Sequence, residues 1–492
     1  MPGEDYKDYV KRVEEGLEPW AKKSFENFSP HFVDGGNYVE YYQALWENPE
    51  RRMRISNRTP LQAERDRILY SRGMRKLTEK YHVLYKDERR IIRNFTTHTM
   101  RMAQVARAIS NGLGLNADFS EAIALGAKVG APPFVHASKL TVAKWICEQL
   151  NDLNREAEKN KNPQPKLGFE KSVGSEGQVL PDWPINITDK SLIDSIVTYI
   201  PWASGSKTPY SSGSQGYWSL AVDPYLVQSR PSRFAPETMF GIWRHSMDLP
   251  IGPNSFIHSF SIAEATAGKH EITWDHITYE ALVVAYADDI TWVIENLDDA
   301  NRASVLANGS DLYMDALQDL NRYETSFSVP RVLNDALLGR DSGGIYNFFI
   351  SDYIDTSRRI LDRLDDGALM RQALRSGARD AVIGLSDSAK EQLSRMKSFL
   401  VRRVFNVPRV ENRFRILETI TDACLDLLYK GRADALDAHV AAQSRLLSFS
   451  AEKMERVNDL LRDPVHRIQL SVDVFSEMSD QEIYDFVGIQ GL

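Results

Sequence analysis

A stripe of side chains at helical spacing constrains the fold of this chain more than any other feature of its sequence. Between residues 98 and 113 the stripe consists of His98, Met102, Val105, Ile109 and Leu113. Intervals of three and four residues place these side chains on one face of an α-helix. The sequence therefore predicts a helix here, with a histidine at its start and an apolar face turned to a core.

The same periodicity recurs along the chain and predicts a mainly helical fold. Residues 279–306, 343–364 and 411–431 each give a long helical pattern, and Gly431 is a favourable residue for ending the last of them. The only strand signal outside these segments is KYHVLY at 80–85. The sequence therefore predicts an all-α protein with minor β structure.

One segment breaks the helical pattern. Residues 155–235 are rich in Pro, Gly, Ser and Asn, and helical spacing is weak outside 189–200. Long segments of this kind are usually functional or disordered, so we expect an insertion or flexible lobe on a helical body. The predicted regions are an N-terminal helical extension (1–50), a first part of the core (51–154), the insertion (155–235), a second part of the core (236–330) and a C-terminal helical region (331–492).

Composition limits the classes of protein that the chain can belong to. The 492 residues are 42% hydrophobic and 26% charged, with a formal net charge of −8, which does not favour a dedicated nucleic-acid binder. Two cysteines outside any CxxC pair make a disulfide framework or a thiolate zinc site unexpected. No apolar run reaches the roughly 18 residues needed to span a bilayer. We therefore expect a cytoplasmic protein with no membrane partner.

Five sequence blocks, in order along the chain, carry a resemblance to a known family. They are RTPLQAERDRILYSRGMRKLTEKYHVL (58–84), FTTHTMRMAQVARAISNGLGLNADFSEAIALG (95–126), YEALVVAYADDITWVIENLDDA (279–300), FLVRRVFNVPRV (399–410) and VDVFSEMSDQEIY (472–484). The chain resembles bacterial deoxyguanosinetriphosphate triphosphohydrolases and, more distantly, the animal SAM-and-HD-domain dNTPase. The resemblance implies a helical HD-domain fold and a homo-oligomer, a tetramer or hexamer. It also implies a role in nucleotide metabolism or antiviral defence against phage.

The metal-binding pattern of that family is incomplete in this chain. His98 and Asp288 match two of the four family metal ligands. Where the family has its adjacent His-Asp pair, this chain has Ala127 and Lys128. The resemblance therefore implies a degenerate metal site made of His98, Ala127, Lys128 and Asp288.

Several positions that handle phosphate in the family have also changed. A family histidine is replaced by Ala131, and a family glutamate by Lys139. His136 matches a histidine of the family, as a relic or a residual catalytic group. The remaining changes are Phe95 in place of an arginine, with Arg93 keeping a guanidinium nearby, and Trp292 in place of a tyrosine.

Charge counting gives these changes a physical meaning. In the family site, two carboxylates are balanced by a divalent cation, whereas here Asp288 contributes −1 and Lys128 contributes +1. A buried carboxylate without a cation is costly. We therefore predict that Lys128 pairs with Asp288 in place of a metal, and that no cofactor is required. We expect Arg93, Lys128, His136 and Lys139 to hold a nucleotide polyphosphate.

Three functions remain open from the sequence. The first is a pseudoenzyme that binds a deoxynucleotide or nucleotide signal as a sensor or regulatory subunit. The second is an active dNTP triphosphohydrolase with Mg²⁺ or Mn²⁺ at a non-standard centre, rebuilt with recruited ligands such as His245, His258, His270 or His276. The third is an interaction subunit for a protein partner, or a single-stranded DNA binder that uses aromatic residues of the insertion: Trp183, Trp202, Tyr210 and Trp218.

Overall fold

Helices dominate the part of the chain that the computed structural model describes. The described residues are 60–81, 93–159, 170–173, 179–182, 210, 212–222, 234–244, 278–303, 310–322, 327–361, 383–431, 436 and 464–488. The fold is all-α, as predicted from the sequence. None of the helices in these ranges is long and apolar enough to cross a membrane.

Fifteen α-helices are found in the described ranges, together with one pair of short strands. The helices are α1 (Pro60–Leu69), α2 (Arg72–Lys76), α3 (Phe95–Leu113), α4 (Ala117–Val129), α5 (His136–Lys159), α6 (Ser212–Val222), α7 (Pro236–Arg244), α8 (Tyr279–Ala303), α9 (Leu312–Arg322), α10 (Arg331–Leu338), α11 (Ser342–Leu361), α12 (Asp387–Leu400), α13 (Pro408–Asp426), α14 (Pro464–Glu477) and α15 (Asp480–Val487). The strands β1 (Glu170–Val173) and β2 (Val179–Asp182) pair antiparallel, with Glu170 opposite Asp182.

Short stretches of other helical types extend some of these elements. A 3₁₀ turn (Leu77–Glu79) follows α2, and π-helical turns follow α12 (Val401–Phe405) and α13 (Leu427–Gly431). The strand predicted at 80–85 lies mostly outside the described residues. At its start, Tyr81 forms an isolated antiparallel bridge with Asn94.

The ends of the central helices follow from local sequence. Helix α3 begins after Asn94, whose side chain accepts a hydrogen bond from the Thr97 amide at 3.0 Å, and it ends at Gly114 with φ of 71°. Asn116 caps α4 in the same way, accepting from the Phe119 amide at 3.0 Å. Side-chain caps and a left-handed glycine are common means of satisfying free backbone groups at helix ends.

Two clusters of buried apolar side chains form the interior. The first cluster lies among α1, α3, α4 and α7 to α12. The second joins the start of α5, with Phe134, to α13, α14 and α15. The turn at residues 130–135 is where the chain passes from the first cluster to the second.

Helix α6 packs backbone to backbone on α4. A Cβ added at Gly130 would lie 2.0 Å from the amide nitrogen of Gly216, and one added at Gly216 would lie 2.9 Å from the Gly126 carbonyl oxygen. Only glycine permits this approach. The weak helical spacing of residues 155–235 predicted no helix at Ser212–Val222, and this prediction is wrong. Glycine and serine serve here as contact residues within a helix. The limits of the predicted regions stay predictions.

Candidate functional site

A lysine and an aspartate form an ion pair where the first cluster faces the turn at 130–135. Lys128 is in the last turn of α4, and its Nζ lies 2.6 Å from Asp288 Oδ2 on α8. The Lys128 side chain is 9% exposed and that of Asp288 is 21% exposed. The pair predicted from charge counting is therefore present, and it is largely shielded from water.

Phe95 supports the ammonium group from another side. The Lys128 Nζ lies 5.9 Å from the centroid of the Phe95 ring, within range of a cation–π contact. The same ring stacks on His98, with centroids 5.2 Å apart. Phe95 therefore places an uncharged ring beside Lys128, where a second cation would repel the ammonium group.

His98 bridges two carboxylates. Its Nε2 lies 3.3 Å from Asp288 Oδ1, and its Nδ1 lies 2.7 Å from Glu295 Oε2. Burial lowers the pKa of His98, but hydrogen bonds to Asp288 and Glu295 outweigh burial and raise the pKa above its usual value. Both ring nitrogens can donate only in the imidazolium form, which this arrangement favours.

A buried acidic pair lies behind His98. Glu295 is fully buried and contacts Arg93, with 2.9 Å between Oε1 and Nη1. Neither of these two atoms makes a hydrogen bond, so the contact is an ion pair. The second guanidinium nitrogen of Arg93 lies 3.6 Å from Asp299 Oδ1. Burial raises the pKa of Asp299 to about 6, with Arg93 acting in the opposite direction.

The surroundings of Arg93 differ from the sequence-based expectation. We expected Arg93 beside a bound polyphosphate, but its side chain is 5% exposed and directed to Glu295 and Asp299. Its role as a nucleotide contact stays a prediction. In the structure its charge balances Asp299 and Glu295, and Glu295 also holds His98.

His136 and Lys139 lie in the first turn of α5, where His136 is exposed and Lys139 is partly exposed. We call the region between them and Lys128 the cleft, and its two sides the walls, since both lysines act electrostatically on His136. Surrounding protein, and then the charges of Lys139 and Lys128, lower the pKa of His136 to about 3. The imidazole is therefore neutral and lies within electrostatic range of both lysines.

An aromatic pair continues this wall. The rings of His136 and Trp292 meet edge to face, with centroids 6.4 Å apart. Trp292 in turn contacts Phe405, with centroids 5.6 Å apart. Both are partly buried, so the cleft has an apolar surface beside its cationic one.

These donors do not fit a divalent metal ion. The ring nitrogens of His98 face carboxylates, and the ammonium of Lys128 occupies one oxygen of Asp288. A metal needs a neutral imidazole with a free lone pair and deprotonated ligands. Ala127 and Ala131, at the two other changed positions, are fully buried among apolar side chains. Across the described residues, no group of three or more His, Cys, Asp or Glu has the geometry of a metal site.

Other residues named from the sequence are placed as follows. Tyr210 was expected to offer its ring to a partner or base, but it is 2% exposed and donates a hydrogen bond to the Gly130 carbonyl oxygen at 3.2 Å. This expectation is wrong, because the ring belongs to the second apolar cluster. Trp218 lies on α6. The other histidines and tryptophans named from the sequence lie outside the described residues: His245, His258, His270, His276, Trp183 and Trp202.

Sequence reasoning missed Glu295. It lies seven residues after Asp288 on α8, which places both on one face two turns apart. A buried acid two turns from a ligand-type aspartate was the signal that could have revealed it.

The fold and the site together define a class: an all-α protein in which a histidine and a lysine are paired with carboxylates between two long helices and the end of a third. Curated relatives specify the family. The chain is 44% identical over 371 residues to a deoxyguanosinetriphosphate triphosphohydrolase-like protein of Cereibacter sphaeroides (strain ATCC 17025), covering 74% of this chain and 79% of the relative. It is 23% identical over 443 residues to a protein of the same description from Rhodopseudomonas palustris (strain BisB18), covering 87% and 91%.

The chain therefore belongs to the deoxyguanosinetriphosphate triphosphohydrolase-like family. A shorter match, 43% identical over 113 residues, is to a protein so described from Caulobacter sp. (strain K31), covering 23% of this chain and 28% of the relative. No protein-family model matches the chain.

Proposed function

We propose that this protein binds a nucleotide polyphosphate without a metal ion and does not hydrolyse it, acting as a sensor or regulatory pseudoenzyme. The observation that carries the proposal is the Lys128–Asp288 pair, in which an ammonium group lies 2.6 Å from the carboxylate that matches a family metal ligand. An ammonium group neutralises the carboxylate but cannot lower the pKa of a water molecule, as a catalytic metal does.

The cleft supports the binding half of the proposal. Lys139 and Lys128 both lower the pKa of His136 electrostatically, while Asp288 raises it, so all of these side chains lie within electrostatic range of its imidazole. Lysines bind phosphate as point charges, with less geometric selectivity than a bidentate arginine. The neutral imidazole of His136 can donate one hydrogen bond to a phosphate oxygen. Trp292 and Phe405 offer apolar surface to a sugar or base.

Family membership favours a deoxynucleotide as the ligand. The relatives are described as deoxyguanosinetriphosphate triphosphohydrolase-like proteins. The same membership makes residual hydrolysis the second candidate function. Homo-oligomerisation, a protein partner, single-stranded DNA binding and a part in phage defence remain expectations carried by the resemblance.

The proposal is tested by equilibrium binding of deoxynucleoside triphosphates and of tripolyphosphate in the presence of EDTA. We expect binding that persists without metal and weakens as salt rises. Lys139→Ala is expected to weaken it about tenfold. Lys144→Ala is the matched control, since it removes an exposed lysine five residues further along the same helix.

Nucleoside release is assayed in parallel with Mg²⁺, Mn²⁺ or Co²⁺. Release that depends on one of these metals and is lost in His98→Ala would support the hydrolase and contradict the proposal. Binding that requires a metal would contradict it as well.

A further inference from the structure

The turn that leads into the cleft has a backbone conformation that its side chains disfavour. Phe134 and Val135 have positive φ angles of 57° and 42°. Such angles are uncommon outside glycine, and a β-branched residue that adopts one is an outlier. Strain of this kind persists only where surrounding contacts hold the backbone in place. His136 is the next residue, so whatever holds the turn also sets the cleft wall.

One buried carboxylate contacts the strained residue directly. Asp480, the first residue of α15, is 2% exposed. Its Oδ1 accepts a hydrogen bond from the Phe134 amide at 2.8 Å, and its Oδ2 accepts one from the Tyr81 amide at 3.0 Å. Each carboxylate oxygen therefore has a backbone donor, and Asp480 fixes the turn to the segment before α3.

A buried lysine holds the other end of the same turn. Lys80 is 1% exposed, and its Nζ donates to the carbonyl oxygens of Ala131 and Ser476, both at 2.6 Å. The Phe134 ring packs against Tyr484 of α15, with centroids 5.3 Å apart. The turn at 130–135 is thus held at both ends by contacts that involve the C-terminal helices.

We propose that Asp480 is a positioning residue for the nucleotide cleft. By accepting the hydrogen bond of the Phe134 amide, it maintains the left-handed turn and thereby places His136 and Lys139 opposite Lys128. Asp480 acts through the backbone, because its carboxylate is buried and both of its oxygens accept from backbone amides. The inference rests on the proposed function, because the side chains it positions are those proposed to bind polyphosphate.

The test asks whether relieving the strain of the turn restores binding to the Asp480→Ala variant. Restoration distinguishes a role in positioning the cleft residues from a role in general stability. Glycine adopts positive φ without strain, so Val135→Gly reduces the need for a holding contact. The variants are Asp480→Ala, Asp480→Asn, Val135→Gly and the combination of Asp480→Ala with Val135→Gly. Lys76→Ala is the control, because it breaks the 2.7 Å contact of Lys76 with Glu482 on the same helix as Asp480 without touching the turn.

Two properties are measured for each variant: the Kd for tripolyphosphate and the rate at which diethyl pyrocarbonate modifies His136, followed by mass spectrometry. The reagent attacks accessible neutral imidazole, so His136 reacts in the natural protein and buried His98 serves as an internal reference. We expect Asp480→Ala to raise the Kd for tripolyphosphate about tenfold and to change the rate of His136 modification about threefold. Asp480→Asn, which keeps a single acceptor oxygen, gives a smaller change of the same kind.

Val135→Gly is expected to restore both values in the Asp480→Ala background, even where the melting temperature stays low. The inference is overturned if Asp480→Ala lowers the melting temperature alone, or if Val135→Gly restores neither value. Should the Asp480→Ala protein not fold, Asp480→Asn with and without Val135→Gly gives the same comparison. If the natural protein binds no tripolyphosphate, the proposed function fails, and the His136 labelling rates still decide the role of Asp480.

Discussion

The two walls of the cleft each contain a histidine and a lysine, but the charges around these side chains differ. On one wall His98 is buried between two carboxylates and favours the charged form, while Lys128 is paired with Asp288. On the other wall His136 is exposed and neutral, and it lies near cations. The first wall balances its own charge, and the second is the one that we propose binds a ligand. A histidine is therefore structural or functional here according to the charges around it.

The largest effect is expected where the first wall depends on one buried acid. Glu295→Ala leaves buried Arg93 and His98 without their shared counterion, and we expect a loss of about 4 kcal/mol in the free energy of unfolding. Asp289→Ala is the control on the same helix, because its pair with Lys397 is half exposed, with side chains 35% and 37% accessible. That variant should lose less than about 1 kcal/mol.

Urea denaturation of both variants gives the comparison. Equal losses for Glu295→Ala and Asp289→Ala would show that the buried charge cluster contributes no more to the free energy of unfolding than an exposed ion pair does.

A smaller effect is expected at the Lys128–Asp288 pair, which is nearer to solvent. Asp288→Asn leaves the ammonium with a neutral partner and should cost about 2 kcal/mol. Lys128→Met in the Asp288→Asn background should cost much less than Lys128→Met alone, because the unpaired charge is gone. A double-mutant cycle measures this coupling. Strictly additive losses would mean that the two groups do not act as a pair.

The pH dependence of stability tests the buried lysine that holds the turn at 130–135. Burial lowers the pKa of Lys80 to about 8, below its usual 10.5. Between these values the unfolded chain binds a proton that the folded chain has released, so this group's contribution to stability rises with pH. The difference in unfolding free energy between the natural protein and Lys80→Met should grow between about pH 7.5 and about pH 9.5. A difference that stays constant across this interval would contradict the assignment.

The smallest effect on stability is expected at the exposed wall. His136→Ala should change the free energy of unfolding by less than about 0.5 kcal/mol, as surface substitutions usually do. Its Kd for tripolyphosphate should nevertheless rise several-fold, because a phosphate hydrogen bond is lost. Thermal unfolding and titration calorimetry measure the two quantities. A large loss of stability with unchanged affinity would place His136 in the structural wall instead.

The sequence was sufficient for the features that depend on nearby residues or on charge balance. Periodicity located α3 and α8, because a helix repeats its buried face every three or four residues. Lys128 was paired with Asp288, 160 residues away, because the family resemblance placed both at metal-ligand positions and charge counting then matched them.

Contacts set by tertiary packing could not be predicted from the sequence. Asp480 contacts the Phe134 amide across 346 residues, and an amide gives no sequence signal. Arg93 was expected at the phosphates because it lies two residues before the position of a family arginine, and no local pattern pointed to Glu295. The helix at Ser212–Val222 was missed because glycines that permit close packing resemble glycines that form loops.

The most direct test of the central claim is a manganese titration of the metal-free natural protein and of the Ala127→His, Lys128→Asp double variant. If the ammonium of Lys128 takes the place of a cation, the natural protein binds no stoichiometric Mn²⁺ at Asp288, and the double variant binds one ion per chain. One Mn²⁺ bound beside His98 and Asp288 in the natural protein, with Lys128 displaced from the carboxylate, would contradict the account.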